Sequence, residues 1–179
     1  TNLQSGKQNI ISGTGNILGT MSGGTQEINN GSGYIENMSG TKAKQNINMS
    51  ATGSIKNLVN GTQNIAESAN GFITGIMDGG VQNVNQNASG SINIINDGQQ
   101  NIIGGSGNIT VMNGGSQNIT NGTGNIEVVN NGKQIVLDNA TGNITTLKNG
   151  TQEINGGTEF PKVKDTTSIP RWLLLNRYS

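Results

Sequence analysis

The chain has 179 residues, with ten basic and ten acidic side chains and a formal net charge of zero, which removes any electrostatic case for binding nucleic acid or an anionic membrane. It contains no histidine and no cysteine, so the usual proton shuttle at neutral pH, the thiolate nucleophile and the soft metal ligands are all missing, and no cofactor is expected. Hydrophobic residues amount to 30% and aromatics to 3%, too few for a conventional layered core, while two prolines and 29 glycines do not describe a disordered chain either, since those are typically charged and proline-rich.

Taken in chain order, one unit recurs. It opens with glutamine at Gln8, Gln26, Gln45, Gln63, Gln82, Gln100, Gln117, Gln134 and Gln152, in steps of 18, 19, 18, 19, 18, 17, 17 and 18 residues. Two residues after each glutamine comes an aliphatic residue: Ile10, Ile28, Ile47, Ile65, Val84, Ile102, Ile119, Val136 and Ile154. A Gly-x-Ile follows in every unit but the last, from Gly15/Ile17 and Gly33/Ile35 through Gly53/Ile55, Gly71/Ile73 and Gly90/Ile92 to Gly107/Ile109, Gly124/Ile126 and Gly142/Ile144. A third apolar position is read at Met38, Leu58, Ile76, Ile94, Met112, Val129 and Leu147.

The spacing within Gln-x-Ile and Gly-x-Ile has period two, the mark of strands that turn one face inward. Asn-Gly, Gly-Gly and Ser-Gly pairs between them supply the positive φ that tight corners need. One such unit cannot bury its apolar face alone, so equivalent units must stack. The predicted fold is all-β: a single-stranded parallel β-helix, or β-solenoid, with coils of about 18 residues and roughly eight to nine coils. At the strand spacing of about 4.8 Å it forms a rod on the order of 40 Å long. Each glutamine shares parity with the inward isoleucine, which places its side chain at an inward corner, with its amide bonded to equivalents above and below.

Two units break the pattern. Ala43 and Lys44 replace the usual Gly-x before Gln45, and Ile135 and Val136 follow Gln134 where a polar residue then an aliphatic is usual. Both fit ordinary repeat drift, although pockets on solenoids also sit at irregularities. The repeat region is read as residues 1–157. Residues 158–179 hold both prolines, Pro161 and Pro170, and the single tryptophan, Trp172. They read either as a terminal cap, with Trp172 and Leu173 to Leu175 plugging the open end, or as a linker or cloning-derived tail. No apolar run reaches the roughly 18 residues of a membrane span, and the chain opens within the repeat phase without a signal-peptide pattern, so it reads as an excised segment that does not insert in a membrane.

The acids of the repeat region, Glu27, Glu36, Glu67, Asp78, Asp97, Glu127, Asp138 and Glu153, show no pairing by position. A polysaccharide-cleaving β-helix wants clustered carboxylates and aromatic sugar platforms, so an enzyme is not expected. Calcium-binding β-rolls need an aspartate in every unit, which is absent. A small-hydroxyl column precedes the Gly-x-Ile glycine at Thr14, Ser32, Thr52, Ser89, Ser106, Thr123 and Thr141, with Asn70 standing in once. It reads as turn chemistry or as an exposed column for glycosylation or self-association. An ice-binding face would carry a second threonine column. The sequons at Asn60, Asn108, Asn121 and Asn149 are expected by chance in so Asn- and Thr-rich a chain.

The pattern Gly-x-Gln-x-Ile, then Gly-x-Ile and Asn-Gly, as in Gly61 to Ile65, Gly115 to Ile119 and Gly150 to Ile154, resembles the stalk repeats of AIDA-type autotransporter adhesins, the group that includes antigen 43. The likeness spans residues 1 to about 157. The heavy use of Asn and Ile departs from many relatives and also suits filamentous haemagglutinin-like adhesins. The resemblance implies a passenger segment exported through the outer membrane to the bacterial cell surface. There it would act in adhesion, autoaggregation and biofilm formation through homotypic association or a host-cell receptor or glycan. It also implies a glycosyltransferase that places heptose on serines of the repeat, for which Ser32, Ser89 and Ser106 are the matching positions. The alternative is a ligand-binding solenoid that uses one flat polar face for a glycan or ice.

Overall fold

The structure is a computed structural model and describes residues 2–159. The described residues form strands and turns, with no helix; the expected plug at Trp172 and Leu173 to Leu175 lies outside them. Each coil contributes two strands. A glutamine strand, such as Lys7–Ile10, Thr25–Ile28 or Thr62–Ile65, carries Gln-x-Ile, and a glycine strand, such as Thr14–Met21, Ser32–Met38 or Thr52–Leu58, carries Gly-x-Ile and the third apolar residue. In the middle of the rod the two merge around a corner into the long strands Asn70–Val84 and Ser89–Ile103.

The strand ladders between successive coils are parallel and pair like with like, as in Gln63 with Gln82, Ile65 with Val84, Gly107 with Gly124 and Ile109 with Ile126; an isolated antiparallel bridge joins Leu137 to Gly156. The chain is a β-solenoid of about eight turns. Register is this strict because a one-residue slip would turn a column of isoleucines out to water and the polar column in. The pairing runs on to Thr158–Glu159, which stack on Thr141 and Gly142, two residues past position 157. Thr158 occupies the small-hydroxyl position, so the coil still has a partner to pair with there.

The interior is a stack of aliphatic columns. Ile17, Ile35, Ile55, Ile73, Ile92, Ile109, Ile126 and Ile144 form one cluster with the third-position residues, and Ile10 to Val136 form the other with Ala51, Ala69, Ala88 and Ala140. The β-branched side chains suit a pleated wall and hold few rotamers to lose. The third column corrects the sequence expectation at two coils. Met77 and Ile95 are buried at 0% exposure, while Ile76 is 42% exposed and Ile94 stands beside it in register on the outer face. The cause at the first of them is a bulge at Gly75, which adds a residue between Ile73 and Met77.

The changes of coil length have separate local origins. Consecutive glutamines stand 17 residues apart in the shortest coils. Longer coils add an alanine at the corner after the glutamine strand (Ala51, Ala69, Ala88, Ala140), a glycine bulge (Gly19, Gly75), or the Lys42-Ala43 insertion. The alanine corners are closed by i to i+3 backbone bonds such as Ala51 N to Asn48 O at 2.9 Å, and Ser50, Ser68, Asn87 and Asp138 take positive φ there. Each added alanine points inward and fills space, so the extra residue leaves the columns in register. Ala43, one of the two sequence irregularities, is likewise fully buried.

Candidate functional site

The solenoid has one polar column inside and several outside. The nine glutamines lie within strands on the inner face, each two residues before the inward aliphatic, not at a corner; Gln26 to Gln134 are completely buried. From Gln26 on, each Nε2 donates to the Oε1 of the glutamine one coil earlier, at 2.7 Å from Gln26 to Gln8, 2.6 Å from Gln82 to Gln63 and 2.7 Å from Gln152 to Gln134. The second amide hydrogen turns across the interior to the glycine strand. Gln117 donates to Gly107 O at 3.3 Å and Gln134 to Gly124 O at 3.2 Å. A primary amide offers two donors, so one glutamine per coil braces the wall above it and the wall opposite. No buried side-chain polar atom among the described residues lacks a partner. All the bonds point the same way along the rod, an arrangement in which each polarises the next.

The facing glycines owe their identity to that packing. A Cβ on Gly107 would sit 2.7 Å from Gln100 Oε1 and 2.8 Å from Ile102 Cγ1. The glycine strand therefore approaches the glutamine strand closely enough for the cross-wall bonds only because Cβ is missing.

Outside, on the same strands, Asn46, Asn64, Asn83, Asn101 and Asn118 form a second amide ladder, with bonds of 2.8–3.1 Å. It ends on Glu27, which accepts from Asn46 at 3.1 Å and Asn48 at 2.7 Å and faces Lys7 at 3.7 Å. Partial desolvation works against the ionised Glu27, but the donors from Asn48, Asn46 and Lys7 together outweigh it and hold its carboxyl below the ordinary value of 4.5. A depressed folded-state pKa stabilises the fold above the unfolded value, and that contribution is lost as pH falls through the folded one. The stability advantage of the native chain over E27Q is therefore expected at pH 7 and should fade as the pH drops below 4.5; thermal melts of both across pH 3 to 7 check it. At the other end Ile135 interrupts the asparagine column, and Glu153 in the next coil pairs instead with Lys133.

The small-hydroxyl residues fall in one column at the start of the glycine strands, paired in sequence order from Thr14 and Ser32 to Thr123 and Thr141. Thr14 and Ser32 are exposed and Thr52, Ser89, Ser106, Thr123 and Thr141 are half-buried. The structure also pairs two acids that spacing alone keeps apart: Asp78 and Asp97 are register partners in successive coils. Both are exposed, and Asp97 Oδ1 accepts from Gly98 N at 2.7 Å. Nowhere among the described residues do three His, Cys, Asp or Glu side chains gather as a metal site would require.

One feature escapes the sequence reading. Ile76, Ile94, Val111 and Val128 stack in register over four consecutive coils on the outer face. The sequence signal is a pair of adjacent aliphatics where the core needs one: Ile76-Met77, Ile94-Ile95, Val111-Met112 and Val128-Val129. In the coils before it the same column holds Asn37 and Asn57, bonded to each other at 2.9 Å. No family model, curated protein or solved structure matches the chain, so the class defined by fold and surface is that of a β-solenoid repeat protein.

Proposed function

We propose that the chain is a non-enzymatic segment of a bacterial cell-surface adhesin, a stalk that associates side to side with copies of itself and so drives adhesion, autoaggregation and biofilm formation. The AIDA-like repeat supports the setting, an exported passenger whose hydroxyl column is open to a glycosyltransferase. The observation that carries the self-association is the aliphatic stripe of Ile76, Ile94, Val111 and Val128 on a rod braced by an internal amide ladder. Four apolar residues in a straight line give two rigid rods a shared seam, and similar contacts repeated over four successive coils add avidity without a pocket. Sedimentation velocity of the full chain over a concentration series tests this. The native chain is expected to associate as concentration rises, and I94D/V111D, which changes two half-buried residues on the outer wall and none of the fully buried columns, to stay monomeric with unchanged circular dichroism. A native chain that stays monomeric throughout, or a double variant that associates equally, would overturn the reading.

A further inference from the structure

The described residues contain two aromatic side chains, Tyr34 and Phe72, and the solenoid puts both in one column of one wall. Each follows the glycine of its strand, and register runs from Tyr34 to Ser54 to Phe72. They are therefore two coils apart, at about 9.6 Å for the strand spacing of a sheet, with a small residue leaving open space between them. Phe72 is 37% exposed, a high value for a phenylalanine on a chain with so few apolar residues to spare. On the same face, Glu36 and Lys56 flank the column and meet at 3.6 Å, so the patch is locally neutral. Thr52 borders it on the other side.

The backbone beneath the patch is held by the interior. Gln26 donates to Tyr34 O at 3.4 Å, Gln45 to Ser54 O at 3.3 Å and Gln63 to Phe72 O at 3.4 Å. Spacing between the rings is thereby set by three successive rungs of the buried ladder, and a ligand finds it already formed.

We propose that Tyr34 and Phe72 form a platform for a neutral β-1,4-linked glycan chain lying along the rod axis. In such a chain alternate pyranose rings present the same face, and their repeat matches the two-coil separation of the aromatics. The C–H groups of a sugar face meet the electron-rich face of an aromatic ring. Ser54 and Thr52 offer hydroxyls, and Glu36 and Lys56 a carboxylate and an ammonium, to the sugar hydroxyls between and beside the two stacked rings. The cancelled charge of the ion pair favours an uncharged polymer over a uronate. This site is independent of the aliphatic stripe, which occupies another column, so either can fail without the other.

Isothermal titration of the full chain with cellohexaose and chitohexaose, with maltohexaose and an oligogalacturonate as comparators, tests the proposal. Binding is expected for at least one of the two β-1,4-linked neutral chains and not for the α-linked or acidic ones. Tyr34→Ala and Phe72→Ala should each weaken it by roughly five- to tenfold, the weight of one aromatic contact. The decisive variant is F72S/S91F, which keeps the number of rings and moves one a coil further along the same column; it should bind no better than Phe72→Ala. Circular dichroism identical to the native chain shows that each variant is folded. No binding of either neutral chain, equal binding of maltohexaose, or full affinity in F72S/S91F would each overturn the platform.

Discussion

Gln82→Leu is expected to lower the thermal midpoint of the solenoid by roughly 10 °C. Leucine fits the space but leaves one buried amide oxygen without its donor and one buried amide nitrogen without its shorter bond. Gln63 Oε1 loses the donor at 2.6 Å, and Gln100 Nε2 loses its acceptor at 2.6 Å, keeping only a bond to Gly90 O at 3.4 Å. A buried polar atom deprived of its partner costs about 1–3 kcal/mol, with the partly bonded Gln100 nitrogen at the low end, and the replaced amide returns only the gain of burying a leucine. The outer ladder supplies the comparison. Asn83 also bonds above and below, to Asn64 at 2.8 Å and from Asn101 at 3.1 Å, but water reaches that wall. Asn83→Ala should cost only about 0.5 kcal/mol. Melting of both variants by circular dichroism checks the contrast; equal losses would mean that burial of the inner ladder has no energetic consequence.

The second large effect is expected at Gly107. Its φ is not in the left-handed region, so backbone strain is not the issue. The obstacle is space: an added Cβ meets the Ile102 side chain and Gln100 Oε1. Valine in the equivalent place does not relieve it, because Val84 and Val136 press on Gly90 and Gly142 in the same way. Gly107→Ala should destabilise by about 1–3 kcal/mol through overpacking, and Ile102→Ala by about 2–5 kcal/mol through the cavity it leaves. The double variant should be more stable than the sum of the two losses by about 1 kcal/mol or more, since one change vacates the space that the other needs. Strictly additive losses would show that the glycine column is not set by contact with the isoleucine column.

These two experiments address the part of the molecule that is most legible as sequence. Gln8 to Gln152 recur with Ile10 to Ile154 always two residues on, and a period of two inside a period of about 18 leaves a stack of like on like as the way to bury the isoleucines. Fold class, coil size and the parity that turns the glutamines inward follow from that alone. The second hydrogen bond of each glutamine does not. It crosses to Gly90, Gly107 or Gly124 on the opposite wall, a contact between residues ten positions apart whose geometry depends on how sharply the corner between them turns. The third apolar column escapes for a related reason. At Ile76-Met77 the count from Ile73 is broken by the Gly75 bulge, so only packing decides that Met77 goes in, whereas Ile95 keeps the same three-residue step from Ile92 that separates Ile109 from Met112 and was legible in the spacing.

By itself, then, the sequence determined a β-solenoid with an internal glutamine column, because periodic burial is a local property repeated along the chain and can be counted. The tertiary structure alone decided what the outside of the rod presents. Coils of 17, 18 and 19 residues scramble positions in the linear sequence while the corners restore them in space. Only after that restoration does Asp78 stand over Asp97, and does Ile76 rather than Met77 turn outward to align with Ile94, Val111 and Val128 in one seam.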